Sequence, residues 1–252
     1  MNIDTMFKIL AILGALAWLP QLIIFLRNWL IKPELQIIPE NQLEIGFTMI
    51  GPIINLNFAI LSEKQKALIK NIEIELKHED NDIQKFKWKW FEETLYTVDY
   101  PDKSLPTKKN QTAIAINIQK DELVEKKIGF QQKSFQLKQK AIVQNTIEEA
   151  INLSKADKDS NDLKSSKNYN DLKDIFQNGF NWKVGNYTVK YKVYEKSNKK
   201  PFIKEVSFKM TSLDVSNLKT NIDNCNIEIE RTYIGTELPA PVWNWVYIEV
   251  NE

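Results

Sequence analysis

One histidine and one cysteine set the limits of side-chain chemistry in this chain. His78 stands in Lys77-His78-Glu79-Asp80, where neighbouring carboxylates could make it a base or a ligand. It has no second histidine with which to build a metal site, and no serine or cysteine lies in a Gly-x-Ser-x-Gly elbow. It reads as a solvated turn residue. Cys225, in Asp223-Asn224-Cys225-Asn226, has no adjacent base or cation to favour its thiolate. Asp157, Asp159 and Asn161 share the one-three-five spacing of a calcium loop. Asp162 stands where the loop needs glycine and Asn168 where it needs a bidentate glutamate, so the run reads as a polar loop. Glu92-Glu93 and Glu148-Glu149 are paired carboxylates, but neighbours diverge on a strand or a helix, so neither pair converges on a substrate. No catalytic residue, metal or cofactor is expected, and the chain reads as non-enzymatic.

Recognition chemistry is better represented. Trp243, Trp245 and Tyr247 follow Pro239-Ala240-Pro241, with Val242 and Val246 on the opposite face. A strand apolar on both sides is either central or covered by a partner, which makes these three aromatics a candidate partner-binding surface. Lys85, Lys87, Lys89, Lys190 and Lys192 alternate along two segments and are a candidate contact for an anionic surface such as lipid headgroups. Glu73, Glu75, Glu228, Glu230 and Glu249 are available to pair with them across strands.

The chain has 252 residues, 43% of them hydrophobic and 27% charged, which is enough for one sizeable core and unlike a disordered chain. Its formal charge is +1, so no global field draws it to nucleic acid. Only Arg27 and Arg231 among its 34 basic residues are arginine. Arginine supplies the fork that reads bases and grips phosphate, so sequence-specific nucleic-acid binding is not expected.

Residues 9–26 carry no charge, which would make about 27 Å of helix, near the hydrocarbon thickness of a bilayer. Arg27, Trp29 and Lys32 follow as interfacial anchors, Trp18 lies inside, and Pro20 and Gln21 interrupt the apolar run. Ala15-Leu16-Ala17 comes too early for a signal-peptide cleavage site, since residues 22–26 remain apolar beyond it. The expectation is a transmembrane anchor over 1–32. The flanking basic residues place the soluble part in the cytoplasm and the chain, single-pass, in the cell inner membrane.

Beyond Pro33 the pattern changes to short alternating runs. Strands are expected at 35–38, 43–48, 53–60, 70–77, 84–91, 112–119, 186–195, 202–210, 226–233 and 243–250. Phe86, Trp88 and Trp90 share one face in this reading, and Tyr187, Val189, Tyr191 and Val193 another. Between the two groups, apolar residues recur at helical spacing, which predicts a helical hairpin inserted at about 138–178. Gly185-Asn186-Tyr187 opening a strand is similar to the start of strand F in an immunoglobulin-like sandwich. The expected fold is therefore mainly β, an anchor followed over 33–252 by an antiparallel immunoglobulin-like β-sandwich with a helical insertion. Its expected function is to bind a protein partner and hold it at the lipid bilayer. A second reading is a membrane-perturbing effector or sensor in bacterial antiviral defence, forming a homo-oligomer through the anchor, with Pro20 and Gln21 as the contacts that serve it.

Overall fold

The computed structural model describes residues 3–100, 103–155, 160–235 and 237–251. The protein is mainly β, with eleven strands among the described residues, and its sheet is a nearly closed eight-stranded antiparallel barrel. Helix α1 (Ile3–Leu30) leads into β1 (Glu34–Pro39), β2 (Gln42–Thr48), β3 (Gly51–Glu63) and β4 (Ala67–His78). Strands β5 (Ile83–Tyr100), β6 (Lys103–Thr112), β7 (Ile116–Ile118) and β8 (Leu123–Gln132) follow. The helices α2 (Lys133–Lys155), α3 (Ser160–Lys164) and α4 (Lys167–Gly179) precede β9 (Gly185–Glu195) and β10 (Phe202–Met210). The chain ends with α5 (Ser212–Lys219), α6 (Asn221–Ile229), a π-helical turn (Glu230–Ile234) and β11 (Trp245–Glu249).

Around the barrel the order is β10, β9, β4, β5, β8, β3, β2, β11, with β1 added beside β3, β6 beside β5 and β7 beside β4. The ring is fastened between β10 and the end of the chain by one reciprocal pair. Ser207 N–H donates to Asn251 O and Asn251 N–H to Ser207 O, each at 2.8 Å. An eight-stranded barrel is just wide enough for side chains to fill it. Here Ile45, Leu56, Phe58, Ile74, Phe86, Phe130, Tyr191 and Phe208 do so. The hydroxyl of Tyr191 has no hydrogen-bond partner there, and burial pushes it well above the ordinary tyrosine range.

One barrel end is stoppered by aromatics. Phe47 meets Phe135 of α2 at 6.1 Å, Phe176 of α4 at 6.4 Å and Phe180 at 5.3 Å, all edge to face. The two helices are tied together as well, since Thr146 donates to the carbonyls of Ile142 and Asn168. At the other end the second half of β5 leaves the barrel with β6 as a two-stranded arm, on which Leu95, Tyr96 and Val98 are exposed.

Several expectations are corrected. The immunoglobulin-like sandwich is replaced by the barrel, because β4 pairs with β9 and β2 with β11, joining both groups of strands into one continuous sheet. The expected strand at 226–233 is helical. Ile222, Cys225 and Ile229 recur at helical spacing, with Cys225 and Ile229 buried, and the alternation of Ile227, Glu228, Ile229 and Glu230 is incidental to that face. Gly235, at φ +75°, ends the π-helical turn.

The transmembrane anchor, the single-pass topology and the inner-membrane location are corrected too. Among the described residues, no helix is long and apolar enough to cross a membrane. Within α1, Pro20 and Gln21 interrupt the apolar run. Trp18, Pro20, Gln21, Arg27 and Lys32 are exposed, while the side chain of Trp29 lies outside the described residues.

Candidate functional site

The outer face of the barrel over β11, β2, β3, β8 and β5 carries the densest chemistry. Tyr247 lies opposite Glu44, Glu44 opposite Asn55, Asn55 opposite Gly129 and Gly129 opposite Trp90, so the five form one row across five strands. The adjoining row runs Asn57, Lys127, Glu92, Asn110. On the other flank Trp245 stands opposite Gly46.

Two glycines determine how the indoles lie. A Cβ on Gly129 would stand 1.9 Å from Cε2 of Trp90, and one on Gly46 would stand 2.3 Å from Cζ3 of Trp245. Each ring rests where a side chain is missing, one face toward the sheet. Trp90 reaches this side through an irregularity in β5. The register with β8 shifts between Trp88 and Trp90, so Trp88 stays in the barrel and Trp90 turns outward. The strict alternation expected from Phe86, Trp88 and Trp90 fails there, and Phe91 takes the next inward place.

The indoles border a groove of about 580 Å³ that also includes Glu44, Asn55, Glu92, Asn110, Glu228, Arg231, Pro241 and Trp243. Each carboxylate meets a cation. Glu44 is 2.8 Å from Lys127, Glu92 is 2.8 Å from Lys108, and Glu228 is 2.6 Å from Arg231. Lys127 also lies 3.8 Å from Glu92. Burial works against the charge on Lys127, but the hydrogen bond to Glu44 and both carboxylates outweigh it and raise its pKa above the ordinary lysine value. Asn55 Oδ1 is buried without a hydrogen-bond partner. Glu92 also borders a second depression of about 740 Å³, lined by Pro39, Glu40, Asn57, Glu93, Lys126 and Lys127, so the two adjoin at that residue.

A buried asparagine fixes the aromatic rim. Asn221 donates to Asn244 O at 2.8 Å and accepts from Asn244 N–H at 2.9 Å, while Asn224 donates to Val242 O at 2.8 Å. The stretch bearing Trp243 and Trp245 is thus held to α6. Of the expected partner-binding residues, Trp243 and Trp245 line the groove and Tyr247 stands beside Trp245 on the outer face of β11. Sequence reading missed Trp90, Glu44, Asn55, Asn110 and Arg231 as their neighbours. Gly129 was the available signal for Trp90, since a glycine inside a strand marks a close approach.

The lysines lie on the outer face of β5, β4 and β9. Glu73 faces Lys87 on one side and Lys192 on the other, and Glu75 faces Lys85 and Lys190. Ion pairs join Lys87 to Glu73 at 3.3 Å, Lys192 to Glu75 at 2.6 Å and Lys190 to Glu205 at 3.2 Å. Lys89 falls at the register shift of β5. The basic stripe is therefore interleaved with acid.

His78 is buried where a solvated turn residue was expected. Its ring packs on Tyr187 at 4.7 Å, Nε2 donates to the Val184 carbonyl at 3.1 Å, and Nδ1 lies 2.8 Å from Asp80 Oδ1. Cys225 is buried, and the loss of solvent pushes its thiol well above the ordinary range. Among the described residues no group of three His, Cys, Asp or Glu could hold a metal ion. Asp157 and Asp159 lie outside the described residues.

No protein-family model matches the chain, and no curated protein matches it. Among solved structures, a family 123 glycoside hydrolase from Clostridium perfringens, described for its glycolipid glycan hydrolysis, aligns at 10% identity and a TM-score of 0.33. The alignment covers 71% of this chain and 27% of that one, and a likeness this low carries no argument about fold or activity.

Proposed function

We propose that this chain is a non-enzymatic binding module whose recognition surface is the tryptophan-lined groove on the outer face of the barrel. One observation carries the reading. Trp90, Trp243 and Trp245 gather from β5, from the stretch before β11 and from β11 itself, on a rigid sheet. Large, stiff, amphipathic rings in a concave site are the residues that dominate recognition energies. Among the described residues, the His, Cys and groove carboxylate groups are buried or already engaged, which supports binding over catalysis. Cys225 is buried, His78 is held by Val184 and Asp80, and the three groove carboxylates sit in ion pairs. On this reading Trp243, Trp245 and Tyr247, expected from the sequence to meet a protein partner, meet the ligand of the groove.

Photo-cross-linking tests it. A diazirine-bearing residue is placed at Ala240 or Tyr247 at the groove, and at Thr188 on β9, in full-length protein irradiated in cells. Adducts at the groove positions and none at Thr188 are expected. The same adducts at all three, or none anywhere, would overturn the reading.

A further inference from the structure

We infer that the ligand of this groove is an uncharged carbohydrate chain, an inference that rests on the groove being the recognition surface. The argument begins with charge. Glu44, Glu92 and Glu228 are each neutralised by Lys127, Lys108 or Arg231 within 2.8 Å. A charged ligand would have to displace one member of an existing pair and leave the other unmatched, at a cost in desolvation. A neutral ligand meets no such penalty.

The rings and the polar groups then select among neutral ligands. Trp90 and Trp245 each lie with one face toward a glycine of the sheet. The C–H groups on the less hydroxylated side of a sugar ring are slightly positive and lie well against the negative face of an indole. The hydroxyls then project sideways and donate to acceptors. Asn55, in the groove lining, has an Oδ1 with no donor from the protein; it is closed to solvent, so a ligand hydroxyl reaches it once a neighbouring side chain shifts. Carboxylate oxygens of Glu44 and Glu92 keep lone pairs beyond those used by lysine, and Asn110 supplies both a donor and an acceptor. An aliphatic ligand would leave these groups unmet.

Length follows from the shape. The groove adjoins the second depression at Glu92, and Asn57 and Glu40 line that depression. A chain of several sugar units can engage two adjoining depressions, which a single sugar cannot.

The test uses the full-length protein with maltohexaose, cellohexaose, chitohexaose and a glycoprotein bearing neutral high-mannose glycans. Heparin and polylysine serve as charged probes. Saturable quenching of tryptophan emission by at least one neutral probe is expected. Trp243→Ala should weaken that binding about tenfold or more, with an unchanged circular dichroism spectrum, while Trp243→Phe keeps most of it. Removing the glycans enzymatically from the glycoprotein separates a protein-borne source from a free saccharide. If only heparin or polylysine binds, if nothing binds, or if Trp243→Ala binds as well as the parent, the carbohydrate assignment is overturned. Cross-linking at Ala240 and Tyr247 without neutral-glycan binding would discard the carbohydrate and keep the groove. Failure of both would discard the groove as well.

Discussion

The indole of Trp90 occupies the space that a side chain on Gly129 would need, with a Cβ there standing 1.9 Å from Cε2 and 2.2 Å from Nε1. The two residues face each other across β5 and β8, so neither backbone can retreat without breaking the ladder. Gly129→Ala is expected to cost about 1–3 kcal/mol, the range for forcing a methyl into a packed site. The cause is separable from strand propensity. In a Trp90→Ala background the same change should be neutral or stabilising, because alanine is otherwise favoured over glycine in a strand by about 0.5–1 kcal/mol. Urea unfolding of the four proteins of this cycle checks it, and equal costs in both backgrounds would show that the ring is not the obstacle.

Phe135 is wedged in the same way at the barrel end. A Cβ on Gly51 would lie 2.2 Å from its Cδ1, and one on Gly179 would lie 2.4 Å from its Cε2. Gly51 also sits at φ +81°, where other residues are strained. Phe135→Ala should remove about 3–5 kcal/mol, the range for truncating a buried phenylalanine. Native-state hydrogen exchange would show the loss first in α2 and α4. A uniform loss across the barrel would mean that the helices do not open independently.

How far the sequence could be read depended on the range of the interactions involved. Local alternation was enough for β9 and β10, where Tyr187, Val189, Tyr191 and Val193 all point into the barrel. It failed at Trp90 because a register shift is a relation between two strands, and β8 was not recognised as the partner. Barrel closure was out of reach for the same reason, since it rests on one pair, Ser207 and Asn251, from distant parts of the chain. Half of the groove was legible in Trp243 and Trp245. The other half, Glu44, Asn55 and Glu92, looks in isolation like ordinary outward-facing strand residues.

Acid stability is expected to depend on the turn after β4. Asp80 accepts from Lys183 Nζ at 2.8 Å and from Asp82 N–H at 2.9 Å, with His78 beside it, and these hold its carboxyl well below the ordinary value of 3.8. Glu75 and Glu79 shift the same way, through the Lys192 side chain and the Asn186 backbone N–H respectively. A carboxylate with a depressed folded pKa contributes stability that is present above its unfolded value and lost as pH falls through the folded one. Melting temperature should therefore fall as pH is lowered below about 4. Asp80→Asn should flatten that limb while leaving neutral-pH behaviour less affected. An unchanged slope below pH 4 would remove Asp80 from the account.

Asn221 is the residue through which the fold positions the aromatic rim. It is fully buried at the start of α6, and its amide both donates to and accepts from the backbone of Asn244, between Trp243 and Trp245. Replacing it with alanine removes both hydrogen bonds to the part-buried backbone of Asn244, so a loss of about 1–3 kcal/mol is expected. Asp is the more telling variant. Its carboxylate can still accept from Asn244 N–H, but it buries a charge and sets an acceptor against Asn244 O. The ordering of stability should run parent, Asn221→Ala, Asn221→Asp by thermal unfolding, and Trp243 and Trp245 should become more accessible to acrylamide quenching in that order. A destabilised variant in which quenching stays at the parent level would show that the rim is held by ring packing on Gly46 and the core instead of by this asparagine.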